Sequence, residues 1–246
     1  MTQPVATTPL RSLEVDVAAV RTETSALLGA VRAMHPAAVR GPSLCAGWTR
    51  GHVLAHVARN ANALVNLVEA ALTGTPIPMY ASPEAREADI ETGAGRDLDA
   101  QQLDIDAGAA RWDHAMERLV AAAGRLEGVE VEARNRVTVP ALGLPFMRLR
   151  EVAIHHVDLD CGFGFADLES PTQAALLAHQ VLRVGRQPGG PSFTVTTDEG
   201  DELVVGDHPA YVISGGRAAV LGWIGRGLTD GVSSDTGTLP TLPFGG

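Results

Sequence analysis

Apolar residues recur every three or four positions along four long stretches of the chain, which is the spacing of amphipathic helices. Thr49 is a suitable N-cap for the second stretch, and Gly74 and Pro76 end it. The connection at 75–96 is long and contains a shorter helix that begins at Pro83, a residue favoured at the first helical position. The pattern predicts the long helices at 10–34, 49–72, 98–126 and 145–160. Four such helices predict a helical bundle.

The pattern changes near residue 168, where long helices give way to short runs with strand-like alternation. We expect a helix at 171–185, strands at 192–197, 202–205 and 211–214, and a closing helix at 218–224. Residues 129–139 also alternate, which predicts a short hairpin or extended arm before the fourth helix. The chain is therefore predicted as α+β, with a helical domain at 1–168 and a smaller α+β domain at 169–246. The Pro/Gly-rich end, 237–246, is expected to be loosely held.

Two of the predicted helices carry residues that metal ions bind. Glu151 and His155 are four residues apart, so their side chains project from one face of the fourth helix. His56 on the second helix offers a third ligand, and His52, one turn earlier, is its rival. Two imidazoles and one carboxylate form the ligand set of a catalytic zinc site with an open fourth position. A Glu and a His at this spacing also occur as an ordinary surface pair.

The charge and residue composition exclude several classes of function. The formal net charge of the 246 residues is -10, which argues against nucleic acid and anionic membrane surfaces as partners. All 19 basic residues are arginine. The chain therefore has no lysine for a Schiff base or a P-loop, and Arg, backbone amides or a metal must bind any anion.

The cysteines and the N-terminal residues predict a cytoplasmic protein. The chain has only two cysteines, Cys45 and Cys161, and they are too far apart in sequence to indicate a disulfide framework. They are expected to be buried small residues, which fits a reducing compartment. Residues 1–10 have no basic start followed by an apolar run, and no stretch approaches the length of a membrane span.

Four separated motifs resemble those of one enzyme family over residues 40–235. They are Gly47-Trp48-Thr49-Arg50 followed by His52 and His56; Met79-Tyr80-Ala81-Ser82-Pro83-Glu84-Ala85-Arg86; Arg150-Glu151-Val152 with His155 and Asp158; and Gly225-Arg226-Gly227 with Asp230-Gly231-Val232. In this order they resemble the mycothiol-dependent maleylpyruvate isomerases of the DinB-like metal-binding superfamily. The resemblance implies a DinB-like four-helix bundle with one zinc ion, a C-terminal α+β domain similar to sterol-carrier domains, and mycothiol as thiol cosubstrate.

The resemblance also implies roles for individual residues. The family's zinc ligands fall on His56, Glu151 and His155, its active-site arginine falls on Arg86, and a second arginine falls on Arg226. His52 is then left as a residue behind the ligands or at the start of the helix.

Three other residues near these motifs have more than one interpretation. His156, adjacent to a ligand, is expected to pack or to lie on the surface. Asp158 either orients a ligand imidazole or is a charge on the helix surface or at the helix end. Cys45 and His156 are departures from the family pattern that leave the ligand set intact.

The implied reaction is the cis to trans isomerisation of maleylpyruvate to fumarylpyruvate in gentisate catabolism. It would proceed by addition of a zinc-activated thiolate, bond rotation and elimination. The same ligand set also accepts other divalent metals, including non-haem iron. Three alternatives remain: another mycothiol-dependent S-transferase, a non-catalytic metal-binding DinB-like protein, and a binding protein built around the C-terminal domain. The expected partners are small molecules, with no protein partner evident and the oligomeric state open.

Overall fold

Helices provide most of the regular structure in the first part of the computed structural model, which describes residues 12–242. The chain divides into two compact units, the first ending at Phe163 and the second beginning at Gly164, whereas the sequence pattern places the division after residue 168. The helices of the first unit are α1 (Leu13–Ala33), α2 (Arg50–Thr73), α3 (Pro83–Ala94), α4 (Leu98–Ala121), α5 (Ala123–Leu126) and α6 (Leu144–Asp158). A hairpin of β1 (Glu130–Glu132) and β2 (Thr138–Pro140) precedes α6.

Local sequence signals account for where these helices begin and end. Ser12, Thr49, Ser82 and Asp97 each accept a hydrogen bond from a backbone N–H in the first turn of α1, α2, α3 and α4. Gly74 ends α2 in the left-handed conformation, with φ of 68°, where a side chain would be strained. The predicted start of the first helix at residues 10 and 11 lies outside the described residues, as do residues 243–246 of the tail.

The four long helices α1, α2, α4 and α6 pack as the predicted bundle. Helix α2 contacts α4 and α6, and α1 contacts the same two helices. Gly108 lets α4 approach α2 closely, because a Cβ there would lie 3.2 Å from the Ala61 Cβ. Each fully buried leucine stabilises the unit by about 1.5–3 kcal/mol. The core side chains with the lowest exposure include Leu27, Leu54, Leu64, Leu67, Trp112, Met116, Leu119 and Leu149.

The ends of the third and fourth long helices and the extent of the helix at 83–94 differ from the prediction for the first unit; the fourth long helix ends at Asp158 and not at 160. The third long helix was expected to reach Leu126 but ends at Ala121, and residues 123–126 form the separate turn α5. Gly124, a poor helix former with no packing neighbour, lies in this turn. The predicted long connection at 75–96 is largely the twelve-residue helix α3, which packs on α2. Its start at Pro83 is confirmed.

The second unit combines helices with a mixed sheet, as the α+β prediction requires. Its elements are α7 (Ser170–Gly185), β3 (Phe193–Thr197), β4 (Glu202–Val205), β5 (Val212–Gly215), α8 (Arg217–Arg226) and β6 (Val232–Ser234). The strand order is β4-β3-β5-β6, with β3 and β5 parallel and the other pairs antiparallel. Phe193 from β3 packs edge-on against Trp223 from α8, with ring centroids 5.3 Å apart. Strand β6, only three residues long, was not predicted because it is too short to show alternation.

Among residues 12–242, none of the helices has the length and apolar character that a membrane span requires.

Candidate metal centre

The three predicted ligands converge between α2 and α6. The Nε2 atom of His56 lies 2.9 Å from Oε2 of Glu151, and Nε2 of His155 lies 3.8 Å from the same oxygen. One donor atom from each residue lies within 4.8 Å of the other two. Tetrahedral ligands about 2 Å from a metal ion lie roughly 3.3 Å from one another. The observed spacing therefore fits a metal ion bound by all three residues.

Helix geometry explains this convergence. Glu151 and His155 are one turn apart on α6, so they face the same way, and α6 packs directly on α2, which carries His56. The rings of His56 and His155 meet nearly at right angles, with centroids 4.6 Å apart.

The protonation states of these side chains also suit metal binding. Burial lowers the pKa of His56 below 6.5, and this effect exceeds the opposing hydrogen bond with Glu151. For Glu151, burial acts to raise the pKa, but the hydrogen bond with His56 and the charges of His155, His56 and Arg150 lower it to about 2. At neutral pH Glu151 is therefore a carboxylate and His56 is a neutral imidazole, the forms that coordinate metal ions.

Asp158 fixes the orientation of His155 from behind. Its Oδ2 atom lies 2.7 Å from Nδ1 of His155 and accepts a hydrogen bond from the Cys45 thiol at 3.2 Å. Asp158 is the last residue of α6 and is fully buried, so it lies at the helix end and is not a charge on the helix surface. An Nδ1–H donated to a carboxylate leaves the Nε2 lone pair of His155 directed at Glu151 and His56.

The end of α6 is held in place by Arg50, the first residue of α2, and by the segment before α2. The Arg50 guanidinium donates from Nε to the Leu159 carbonyl at 2.5 Å and from Nη2 to the Asp160 carbonyl at 2.9 Å. The backbone N–H of Leu44 donates to the Asp158 carbonyl at 3.0 Å. These bonds satisfy carbonyl groups that a helix end leaves unpaired, and they fix the helix that carries two ligands relative to the helix that carries the third.

Arg86 lies on the other side of His56. Its Nη2 atom is 3.3 Å from Nδ1 of His56, its Nη1 pairs with Glu87, and its Cζ lies 5.7 Å from the centre of the Tyr80 ring. The predicted arginine is thus beside the three candidate ligands, on α3.

Comparison with known proteins identifies the family. The model of the mycothiol maleylpyruvate isomerase N-terminal domain matches residues 20–160, more than half of the chain. The chain belongs to the mycothiol-dependent maleylpyruvate isomerase family.

Two solved structures agree with this assignment. A crystal structure of the mycothiol-dependent maleylpyruvate isomerase is 33% identical, and one of its histidine-to-alanine mutants is 32% identical. Each matches with a TM-score of 0.87 and covers 95% of this chain and 97% of the other. These matches confirm the α+β fold predicted from the sequence. A search of curated protein sequences finds no match.

Within the isomerase fold, the two other histidines of the motifs have structural roles. His52 forms a capping box with Thr49, whose backbone N–H donates to His52 Nδ1 at 3.1 Å, and its Nε2 lies 3.4 Å from Glu91. Of the two histidines on α2, His56 therefore lies next to Glu151, and His52 stabilises the first turn of the helix. His156 is buried and stacks on Phe163, with ring centroids 3.7 Å apart.

Arg226 is the last residue of α8, in the second unit of the isomerase chain. Its Nη1 donates to the Gly225 carbonyl at 2.7 Å, and Gly227 ends the helix in the left-handed conformation. Its assignment to the active site stays a prediction.

The sequence does not predict the contacts of three residues around the site. Arg50 donates hydrogen bonds to carbonyl groups at the end of α6. Arg148 is buried on α6 and donates to the Val57 carbonyl at 2.9 Å and to the Asn60 amide oxygen at 2.8 Å; burial lowers its pKa to about 10. Trp48, from the first motif, lies beside His56 with ring centroids 5.6 Å apart. The sequence signal that could have identified Arg148 is a charged residue among the apolar positions of a predicted helix.

Proposed function

We propose that this chain catalyses the mycothiol-dependent conversion of maleylpyruvate to fumarylpyruvate, a step of gentisate catabolism. The observation that supports this function is the convergence of His56, Glu151 and His155 beside Arg86 in a member of this family. The similar solved structures are of the mycothiol-dependent maleylpyruvate isomerase. We place the reaction in the cytoplasm, a reducing compartment that suits the free cysteines Cys45 and Cys161.

The proposed metal is a single zinc ion held by His56, Glu151 and His155. A zinc ion bound there supplies Lewis acidity that keeps the mycothiol sulfur as a thiolate at neutral pH. The charge states of the ligands favour metal binding, because Glu151 is ionised and His56 is uncharged at neutral pH before a metal ion binds. Asp158 holds the third ligand, His155, in a single orientation.

The isomerisation requires the cis double bond to become a single bond for a short time. The mycothiol thiolate adds to one alkene carbon, a C–S bond forms, and the π electrons move onto the conjugated carbonyl as an enolate. Rotation about the new C–C single bond follows. The enolate then expels the thiolate, the C–S bond breaks, and the double bond returns as trans. No net oxidation occurs, and no nucleophile from the protein is needed.

Arg86 is proposed to bind a carboxylate of the substrate or the developing enolate through its paired N–H donors. In the present arrangement its Nη2 faces Nδ1 of His56, which fits a proton on Nε2 donated to Glu151. If Nε2 of His56 held a metal ion, the imidazole proton would be on Nδ1, and Nδ1 would not accept from Arg86. The Arg86 guanidinium could then bind the substrate anion. Arg226 is proposed to assist it.

The test is an assay of the zinc-loaded protein with mycothiol and maleylpyruvate, followed by the ultraviolet absorbance of the cis-diketo acid and by product chromatography. We expect fumarylpyruvate to form with mycothiol regenerated. Arg86→Met should lower kcat/KM by about 100-fold or more, as expected for loss of a transition-state contact. Arg118→Met, which removes an exposed ion pair with Glu69, is the control.

Two outcomes would contradict the proposal. Accumulation of a stable thioether with consumption of mycothiol would indicate an S-transferase. Loss of stability on metal removal, without thiol-dependent turnover by the loaded protein, would indicate a non-catalytic metal-binding protein.

A further inference from the structure

A cavity of about 380 Å³ lies between α2 and the segment from Met79 to Asp89. Arg86 contributes to its wall and also contacts His56, so one residue lies between the cavity and the candidate metal ligands. On α2 its wall is formed by Arg59, Asn62 and Asn66. These residues follow His56 at intervals of three or four and so continue one face of the helix. The wall extends along α2 for roughly 10 Å from Arg59 to Asn66, at 1.5 Å per residue, and its far end lies roughly 15 Å along the helix from His56.

The lining offers both hydrogen-bond donors and acceptors. Arg59 and Asn62 contribute N–H groups, and Asn66 and Asp89 contribute oxygens. The Asn62 oxygen already accepts from Arg111, and the Asn66 N–H groups already donate to the Pro78 and Met79 carbonyls. Nε of Arg59 is buried and has no hydrogen-bond partner among the residues that the structure describes. A buried donor in this state costs about 1–3 kcal/mol unless a ligand or water accepts from it.

The charges around the cavity nearly cancel. Nη2 of Arg59 lies 3.7 Å from Asp104, and Arg86 pairs with Glu87. Asp89 adds a further negative charge to the lining. A cavity that concentrated positive charge would suit the dianionic substrate. A balanced set of amides, guanidinium and carboxylate suits an uncharged ligand with many hydroxyl groups.

We propose that this cavity binds the polyhydroxylated portion of the thiol cosubstrate. Mycothiol is a cysteine derivative joined through an amide to an amino sugar, which is linked to a cyclitol. With its sulfur at His56, Glu151 and His155, its uncharged ring portion extends past Arg86 along α2. Arg59 donates from Nε to a ring hydroxyl, and Asn62 and Asp89 bind further hydroxyls. This inference rests on the proposed function, since it assumes mycothiol as cosubstrate.

The direct test uses as a probe the amino sugar–cyclitol without its cysteine, with the sugar nitrogen acetylated so that the probe stays uncharged as in mycothiol. Isothermal titration calorimetry on the zinc-loaded chain should detect binding, and the probe should compete with mycothiol but not with maleylpyruvate. In Arg59→Met the Kd of the probe and of mycothiol should each rise by about tenfold or more, because a buried charged donor is lost. The KM for maleylpyruvate should change less than twofold. Arg118→Met, an arginine on α4 that pairs with α2 outside the cavity, should change neither.

Two results would overturn the inference. One is a rise in the KM for maleylpyruvate, rather than for mycothiol, in Arg59→Met, which would assign the cavity to the diketo acid. The other is a probe that does not bind to a chain that still turns over. If the chain binds the probe at this cavity but shows no isomerase activity, the proposed reaction fails while the polyol site stands.

Discussion

The buried carboxylate of Asp158 lies 2.7 Å from Nδ1 of His155 and shares its Oδ2 atom with the Cys45 thiol. Asp158→Asn keeps the shape of this side chain but removes its charge. We expect metal affinity to fall by about 10- to 100-fold, the usual effect of losing a carboxylate behind a ligand histidine. Competition with a chromophoric chelator would measure it. An unchanged affinity would show that Asp158 does not act on the ligand.

Cys45 provides a second test of the same contact. Cys45→Ser retains a hydrogen-bond donor to Asp158 and should bind metal nearly as the parent chain does. Cys45→Ala removes the donor and should weaken metal binding by several-fold. The absorption spectrum of the cobalt-substituted chain would separate a changed ligand geometry from simple loss of stability. Equal effects of the two substitutions would argue against a role for the thiol as donor.

The two histidines of α2 should respond differently to substitution. His56→Ala should abolish metal binding, while circular dichroism shows a folded chain, because the bundle core does not depend on this side chain. His52→Ala should retain the metal but lower the free energy of unfolding by about 1 kcal/mol, since it removes half of the capping box. Elemental analysis and thermal unfolding of both variants would decide. Retention of metal and turnover by His56→Ala would refute the ligand assignment.

Gly93 controls how closely α3 approaches α2. A Cβ at this position would lie 2.7 Å from the Ala55 Cβ, next to His56 in sequence. Gly93→Ala should therefore push the helices apart and destabilise the chain by about 1–3 kcal/mol. Gly29→Ala is the matched control, because Gly29 also lies within a helix and has no neighbour within 4 Å. That control should be neutral or stabilising by up to about 1 kcal/mol. Denaturant titration would detect the difference, and equal stabilities would contradict the packing argument.

A pH-dependent contribution to stability comes from Asp201 in the second unit. The hydrogen bonds with Arg217 lower the pKa of Asp201 below 3.8 in the folded chain. A lowered pKa adds stability that is fully present above 3.8 and is lost as the pH falls through the folded-state value. Asp201→Asn should cost about 1–3 kcal/mol at pH 7. The difference from the parent chain should narrow below pH 3.8 in calorimetric unfolding. A stability difference that does not change with pH would refute this role of the Asp201 carboxylate.

Local signals in the sequence were sufficient for the helices and for part of the site. Apolar periodicity and caps such as Thr49 locate the long helices, and the four-residue spacing of Glu151 and His155 places both on one face. Those features depend only on residues close together in the chain, which is why the sequence reveals them.

The remaining features depend on contacts between distant residues. His52 and His56 are equivalent by spacing, and only the packing of α2 on α6 determines which of them meets Glu151. Arg50 and Leu159 are 109 positions apart, so no local pattern reveals the hydrogen bond between them. Strand β6 pairs with β5 over three residues, too few to show a period.

His56 and Glu151 are 95 positions apart, and α3, α4 and the β-hairpin lie between them. A metal ion that joins these two residues therefore closes a very long loop in the chain. For a covalent crosslink around a loop of about 100 residues, the lost entropy of the unfolded chain amounts to about 4.7 kcal/mol. The ion would act on the folding equilibrium of everything inside that loop, including both walls of the cavity. Chelation should then lower the unfolding temperature of the whole bundle, and not only empty one site.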